Sequence, residues 1–337
     1  MGSTPRGISG SRAAAILGLS EWSTPLQVWQ EIHEDLEPGW NASRGYLLPE
    51  REENAAMRWG LAFEDAIVSL TEQKTGKAIT DRERVFSDNF MTCHVDGMMD
   101  IEDEPVLFEG KSTNARSYYQ KWGEPGTDRI PTSYACQVQH NMMLSGAEKC
   151  IVGVLVFPKM VDEWEEMGWL PKINPPDAPS WISYYLVNSE TGKQERAQYW
   201  ADCLAEMGFF HTYEIAVNPT VQKSMREVYA DFWQRFILGD EEPQPGCYDD
   251  VRRLFPAPIG TIIASEQVER WITEYDEIGK ETSKTGTLGK RREELKTIVL
   301  DWARKQDPVM DEASREKTLI MSTNGKKLAQ WDGRIFR

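Results

Sequence analysis

The sequence predicts an α/β fold, and three observations carry that prediction. Residues from Glu52 to Lys74 read as a long amphipathic helix; strand-like runs follow around 83–87, 92–101 and 105–112; and a helix from 133 leads into the apolar run CIVGVLVF at 150–157. Helices alternating with strands in this way bury one apolar core between layers. With 337 residues and 40% hydrophobic content, the chain is long enough for one large domain, with or without a smaller appendage.

The elements follow in order. GISGSRAAAILGLS passes from a Ser-rich turn into AAAIL, so Ser9 or Ser11 is expected to cap a short helix. TPLQVWQEIHE is a second helix, with Leu26, Trp29 and Ile32 or His33 at helical spacing, and residues 38–49 are a loop. In the long helix, which ends at Gly76, the expected core side is Met57, Leu61, Ala62, Ile67, Val68 and Leu70. Residues 158–182, rich in Pro, Trp and acid, read as an insertion. A strand at 182–187, a helix near 194–207, the strand HTYEIAVN and a helix at 221–239 come next. EEPQPGCYDD is a connector. Beyond it, Val268, Trp271, Tyr275 and Ile278 form a seam that TGTLG interrupts and that Leu295, Ile298, Val299 and Trp302 resume, giving a helix pair or a kinked helix. Asn324-Gly325 marks a closing hairpin.

Composition narrows the class. The longest apolar run has strand length, so no membrane span is expected, and the N-terminus lacks a basic stretch followed by an adequate apolar one, so a cytoplasmic location is expected. Cysteines 93, 136, 150, 203 and 247 make no CxxC or Cys/His pair and read as buried thiols. A net charge of -16 argues, taken alone, against a nucleic-acid partner. The objection is weak for an enzyme that binds divalent cations, because its site requires carboxylates.

One stretch carries chemistry: HVDGMMDIEDEPVLFEGKST, residues 94–113. A hairpin closed by a two-residue turn at Asp103 and Glu104 would set Asp96 opposite Lys111 and Met98 opposite Glu109. Asp96, Glu109 and Lys111 would then share one face. Two converging carboxylates suit Mg2+ or Mn2+, and a neighbouring ammonium can orient an attacking water and stabilise charge on a phosphate. The bland alternative is an exposed sheet face with one salt bridge, worth about 0–1 kcal/mol. From spacing alone the bland reading is favoured, since D-x(n)-E-x-K is common by chance.

The surrounding blocks shift that balance. GISGSRAAAILGLSEWSTPLQVW, AAMRWGLAFEDAI, HVDGMMD, FEGKST, IPTSYACQVQHNMMLSGAEKCIVGVLV and FWQRFILGDEEPQPG, in this order over most of residues 6–255, resemble the YqaJ-like viral recombinase, or lambda-exonuclease-type, family of the PD-(D/E)XK nucleases. The resemblance implies a restriction-endonuclease-like core with a mixed central sheet flanked by helices. It implies a nuclease domain over residues 1–258, with an insertion near 158–207, followed by a helical and hairpin extension over 259–337. The implied activity is 5′-to-3′ digestion of linear double-stranded DNA from its ends in phage-type recombination, beside a single-strand annealing protein. A homo-oligomer and the host cytoplasm go with it. Alternatives are a structure- or sequence-specific endonuclease on the same fold, or a non-catalytic DNA-binding assembly protein.

Carried over by position, Asp96 and Glu109 would be metal ligands, the Gly110 carbonyl a further ligand, Glu64 the helix carboxylate beside two metal ions, and Lys111 the catalytic lysine. Gln137, with Tyr134 one turn earlier, would lie on the helix beside the site. Ser11, at a helix N-terminus with Arg6, Arg12 or Arg116 near it, would take a 5′-phosphate; a simple cap explains Ser11 equally well. His94, two residues before Asp96, is expected on its face as a DNA or outer contact. His33, His140 and His211 are unremarkable, Cys136 reads as core, and tryptophans between 164 and 181 are weighed as base-stacking groups against packing.

Overall fold

A continuous apolar strand, covered on both faces, organises the main sheet. The computed structural model describes residues 7–48, 55–173, 184–255, 260–281, 286–306, 308–309, 317–332 and 336. Its elements in chain order are β1 (Ile8–Ser9), α1 (Gly10–Ile16), α2 (Pro25–Leu36), α3 (Trp40–Ser43), α4 (Ala55–Thr75), β2 (Ile79–Thr80), β3 (Val85–Asp88), β4 (Met91–His94), β5 (Gly97–Ile101), β6 (Glu104–Asn114), α5 (Ala115–Lys121) and α6 (Thr132–Ser145). They continue with β7 (Lys149–Phe157), α7 (Val161–Glu166), β8 (Trp169–Ile173), β9 (Tyr184–Asn188), β10 (Gln194–Arg196), α8 (Ala197–Glu206), β11 (Phe210–Ala216), α9 (Pro219–Phe232) with a π turn at Trp233–Ile237, α10 (Tyr248–Leu254), β12 (Thr261–Ile263), α11 (Glu266–Glu281), α12 (Thr287–Arg304), β13 (Thr318–Met321) and β14 (Lys327–Trp331). The chain divides into two units, Met1–Leu19 with Arg51–Ala230, and Ser20–Glu50 with Asp231–Arg337.

The first unit is built on a mixed five-stranded sheet of order β11-β7-β6-β5-β2, in which β6 and β7 are parallel and the other neighbours antiparallel. Strand β7 is buried on both sides, so its alternate residues serve two cores. Ile151, Leu155 and Phe157 meet Trp59, Phe63 and Ile67 of α4, while Cys150, Val152, Val154 and Val156 share a cluster with Val138 and Met142 of α6. The mixed sheet flanked by helices is the architecture the resemblance implies.

Several expectations are corrected in detail. Met57 and Leu61 are 54% and 47% exposed; α4 buries Trp59, Ala62, Phe63, Ala66, Ile67, Val68, Leu70 and Thr71 instead. The expected strand at 92–101 is two strands in different sheets, β4 beside β1 and β3, and β5 in the central sheet. Ser9 occupies the N-cap position of α1 with no side-chain capping bond, and Ser11 is exposed. The insertion supplies α7, the antiparallel sheet β10-β9-β8 and α8, where Trp164, Trp169 and Trp200 interlock edge-to-face beside Trp59. Packing therefore accounts for Trp164 and Trp169, and Trp181 lies outside the described residues.

In the second unit, Val251 and Phe255 share a core with Val268, Ile272 and Tyr275 of α11, Leu295 and Val299 of α12, and Ile320 and Trp331 of the β12-β13-β14 sheet. Phe255 lies 4.2 Å from the Trp331 ring, and Trp331 Nε1 donates to the Tyr248 hydroxyl. Buried Asp250 accepts from Gly246 N at 2.8 Å and Gln27 Nε2 at 3.2 Å, which ties α2 to α10. Residues 248–255 therefore group with the C-terminal helices and hairpin through this core, and segment 20–48 joins them through the Gln27–Asp250 bond and the Leu47 N–H donated to the Arg253 carbonyl at 2.9 Å.

Helix α6 is fixed in depth by His140. Its Nε2 donates to the Thr92 carbonyl at 2.9 Å, and its buried Nδ1 has no partner among the described residues, so the ring is the neutral Nε2-H tautomer. Burial depresses this imidazole from 6.5 to about 4, against the pull of the Thr92 hydrogen bond and with help from the Arg226 charge. Between these values the unfolded chain takes up a proton that the folded chain does not, so stability falls as pH drops from 6.5 towards 4 and levels off below. From pH 7 to pH 4 the unmodified protein is expected to lose about 3 kcal/mol more than His140→Gln in denaturant melts. Equal losses in the two proteins would contradict a buried neutral ring.

Candidate active site

Alternation along β6 decides which side chains reach the site. Val106 and Phe108 face α4, and Leu107 faces α6. Glu109 and Lys111 share the parity of Leu107 and are therefore aimed at α6. The hairpin turns at Glu102 and Asp103, whose φ values of 58° and 64° define a two-residue turn of left-handed residues. Gly97 pairs with Phe108 and Met98 with Leu107, a shift of two residues from the expected register. A shift of two preserves the side-chain face, so Asp96 still approaches Glu109, although Asp96 is no longer opposite Lys111.

Glu109 is the centre of the cluster. Its side chain is 1% exposed, and its Oε1 accepts from Lys111 Nζ and, at 2.7 Å, from Gln137 Nε2. Its Oε2 accepts from Asn141 Nδ2 at 3.2 Å. Gln137 and Asn141 are one turn apart on α6, so a single helical face addresses both oxygens. Asp96, just before β5, accepts the Gly110 amide through Oδ2 at 2.8 Å, and Tyr134 presents its ring 5.1 Å from Lys111 Nζ.

The electrostatics of this cluster are in tension. Burial raises Glu109 to about 7, Lys111 pulls it down and the Asp96 charge pushes it up. Burial alone would depress Lys111, but Glu109 and Asp96 outweigh it and hold the ammonium above its ordinary range. The shift on Glu109 favours a neutral pair and the shift on Lys111 a charged one. The charged pair is the better description, because Glu109 accepts three hydrogen bonds, one of them from an ammonium.

The remaining expected residues fall in different places. Glu64 on α4 is raised by burial and by the Asp96 charge, and Arg82 opposes this with a 3.3 Å contact. Arg82 also bonds Asp65 at 2.6 Å, and lies between Asp81 and Glu83, both left-handed at φ 50° and 56°. That turn holds backbone strain to aim Arg82 at the α4 carboxylates. Among the described residues no three Asp, Glu, His or Cys side chains converge as a ready metal cage. His94 ends β4 in a different sheet from the strand after Asp96, so the shared face expected for it does not exist. Ser9 Oγ lies 3.0 Å from Ser11 Oγ, and Arg12 Nη1 donates to the Gly7 carbonyl. Arg116 is exposed on α5, and Arg6 lies outside the described residues. Sequence reasoning missed Asn141 and Arg82; the i,i+4 spacing of Gln137 and Asn141 on one helix was the available signal for the first.

A carboxylate ahead of one strand, E-x-K on the next and a polar helix behind them lie together, as in the pattern the sequence resemblance implies. Residues 4–148 match the YqaJ-like viral recombinase domain. An uncharacterized protein YqaJ of Bacillus subtilis (strain 168) is 30% identical over 156 residues, which is 45% of this chain and 44% of that relative; the match spans less than half of either protein. Among solved structures, the alkaline exonuclease LHK-Exo from Laribacter hongkongensis is 13% identical with a TM-score of 0.42, over 70% of this chain and 90% of that one. A phage related exonuclease from Haemophilus somnus 129PT is 11% identical with a TM-score of 0.41, over 69% and 95%.

Lys111→Met leaves the buried Glu109 without its counter-charge. In metal-free protein this is expected to cost about 3 kcal/mol by chemical denaturation. A stability unchanged within about 0.5 kcal/mol would mean that the pair contributes as little as an exposed salt bridge.

Proposed function

We propose that the chain is a divalent-metal-dependent deoxyribonuclease that digests linear double-stranded DNA from its ends with 5′-to-3′ polarity, beside a single-strand annealing protein in phage-type recombination. The observation that carries this reading is the convergence of Asp96, Lys111 and Gln137 on the buried Glu109. The match of residues 4–148 supports the recombination setting. Assembly into a homo-oligomer and action in the host cytoplasm belong to the same proposal; among the described residues no helix is long and apolar enough to cross a membrane.

The donor set fits a hard divalent cation. Two carboxylates come from neighbouring strands, one of them fully buried and raised partly by the charge of the other, with Glu64 in electrostatic reach of Asp96. Asp96, Glu109 and the Gly110 carbonyl would hold Mg2+ or Mn2+, with Glu64 serving a second ion. When bound, the metal supplies Lewis-acid polarisation of a phosphate oxygen and a water of lowered pKa.

The protein's own groups do the rest. Lys111 keeps its proton and serves as a fixed cation, which offsets the charge that grows on the phosphate oxygens as water adds to phosphorus and the bond to the 3′ oxygen breaks. Gln137 fixes Oε1 of Glu109, and the Tyr134 ring limits where the Lys111 ammonium can swing. Arg116, exposed on the helix that follows β6, would meet the DNA backbone, and Ser11, Arg12 and Arg6 are the further residues proposed for the 5′-phosphate.

A linear duplex labelled on one strand at a time tests the reading. With Mg2+ the label at a 5′ end should be released first, EDTA should stop release, and a covalently closed circle should survive. Cleavage of the circle would overturn end-dependence in favour of an endonuclease. Asp96→Ala and Glu109→Ala should abolish digestion, and Lys111→Ala should lower turnover by about 10²–10³-fold. Dephosphorylated ends should be digested more slowly, with the difference shrinking in Arg116→Ala; equal rates on both ends would remove the 5′-phosphate contact.

A further inference from the structure

Asn141 carries no role in the proposed reaction, yet it is among the most constrained polar groups of the first unit. It is 1% exposed, and its Nδ2 is the one hydrogen-bond donor to Oε2 of Glu109 among the described residues. Its Oδ1 is buried with no hydrogen-bond partner there. A buried carbonyl oxygen without a donor costs about 1–3 kcal/mol, so the side chain gives up stability to hold this orientation. Rotating the amide by half a turn would set Oδ1 against the carboxylate, which is repulsive; Glu109 therefore dictates which way Asn141 points.

The backbone opposite is fitted to that amide. A Cβ on residue 10 would lie 2.4 Å from Asn141 Oδ1 and 3.2 Å from Gln137 Cγ, so only glycine lets the start of α1 rest on this face of α6. The two oxygens of Glu109 are also unequal. Oε1 already takes an ammonium and an amide, whereas among the described residues Oε2 takes the Asn141 amide alone. A cation approaching Oε1 would have to displace Lys111; a cation approaching Oε2 would not.

We propose that Asn141 is a positioning residue that fixes Oε2 of Glu109 as the oxygen offered to the divalent ion, while Gln137 and Lys111 hold Oε1. The inference rests on the metal-dependent reading above and adds the residue that sets ligand direction. Groups that orient a ligating carboxylate typically change metal affinity by about 10–100-fold when removed. The effect should therefore fall on metal affinity and leave turnover at saturating metal within a few-fold.

The test is Mn2+ binding to the DNA-free full chain, followed by the electron paramagnetic resonance signal of free ion. Asn141→Leu, close in size but without a donor, should raise the Mn2+ dissociation constant by about 10-fold or more. Asn141→Ser, which leaves room for a bridging water, should raise it by a smaller factor of about three, and melting curves of the metal-free proteins establish that each variant is folded. Should the leucine variant fail to fold, the serine variant decides. Unchanged affinity in a folded variant overturns the role of Asn141. Absence of Mn2+ binding by the unmodified chain would instead overturn the metal-dependent reading itself.

Discussion

The burial of one carboxylate, Glu109, is the constraint on which the first unit depends. An ionised carboxylate in an apolar sheet is destabilising unless it is paired and hydrogen-bonded, and here a lysine, a glutamine and an asparagine do both. Two elements meet that demand. Strand β6 supplies the acid and its lysine, and α6 supplies two amides from one face. His140 anchors α6 against β4, and glycine at position 10 lets α1 close over the same face. The sheet keeps its two apolar cores on either side of this polar line, so the charged groups sit at a rigid point of the fold.

Rigidity and tension have the same source. Burial raises both Glu109 and Glu64, the Asp96 charge adds to each, and Lys111 and Arg82 supply the opposing charge. A divalent cation held there would relieve that repulsion. Acidic residues are what such a site requires.

The fold and the site are legible in the sequence to different degrees, and the reasons are physical. The helix at α4, the apolar run of β7 and the helix pair at the end announce themselves by periodicity. The turn of the central hairpin is hard to place because Glu102 and Asp103 carry left-handed φ values without glycine or asparagine to signal them. The face of Asp96, Glu109 and Lys111 nevertheless follows from the sequence, since the difference in register is an even number of residues. Met57 and Leu61 mislead because α4 turns its aromatic residues inward and leaves two aliphatic ones outside. The grouping of segments 20–50 and 231–255 with the C-terminal helices depends on long-range partners such as Gln27 with Asp250 and Phe255 with Trp331, which no local pattern encodes. Asn141 escapes notice because a polar residue on a helix has many ordinary explanations, and only the neighbouring Glu109 removes them.

In the proposed reaction Asp96 and Glu109 together would receive a divalent ion beside Lys111. Crystals of the full chain grown with Mn2+ and a short duplex would test it through the anomalous signal of manganese. A peak is expected beside the Asp96 and Glu109 carboxylates. Bound duplex with manganese located away from both carboxylates, or with none at all, would contradict it.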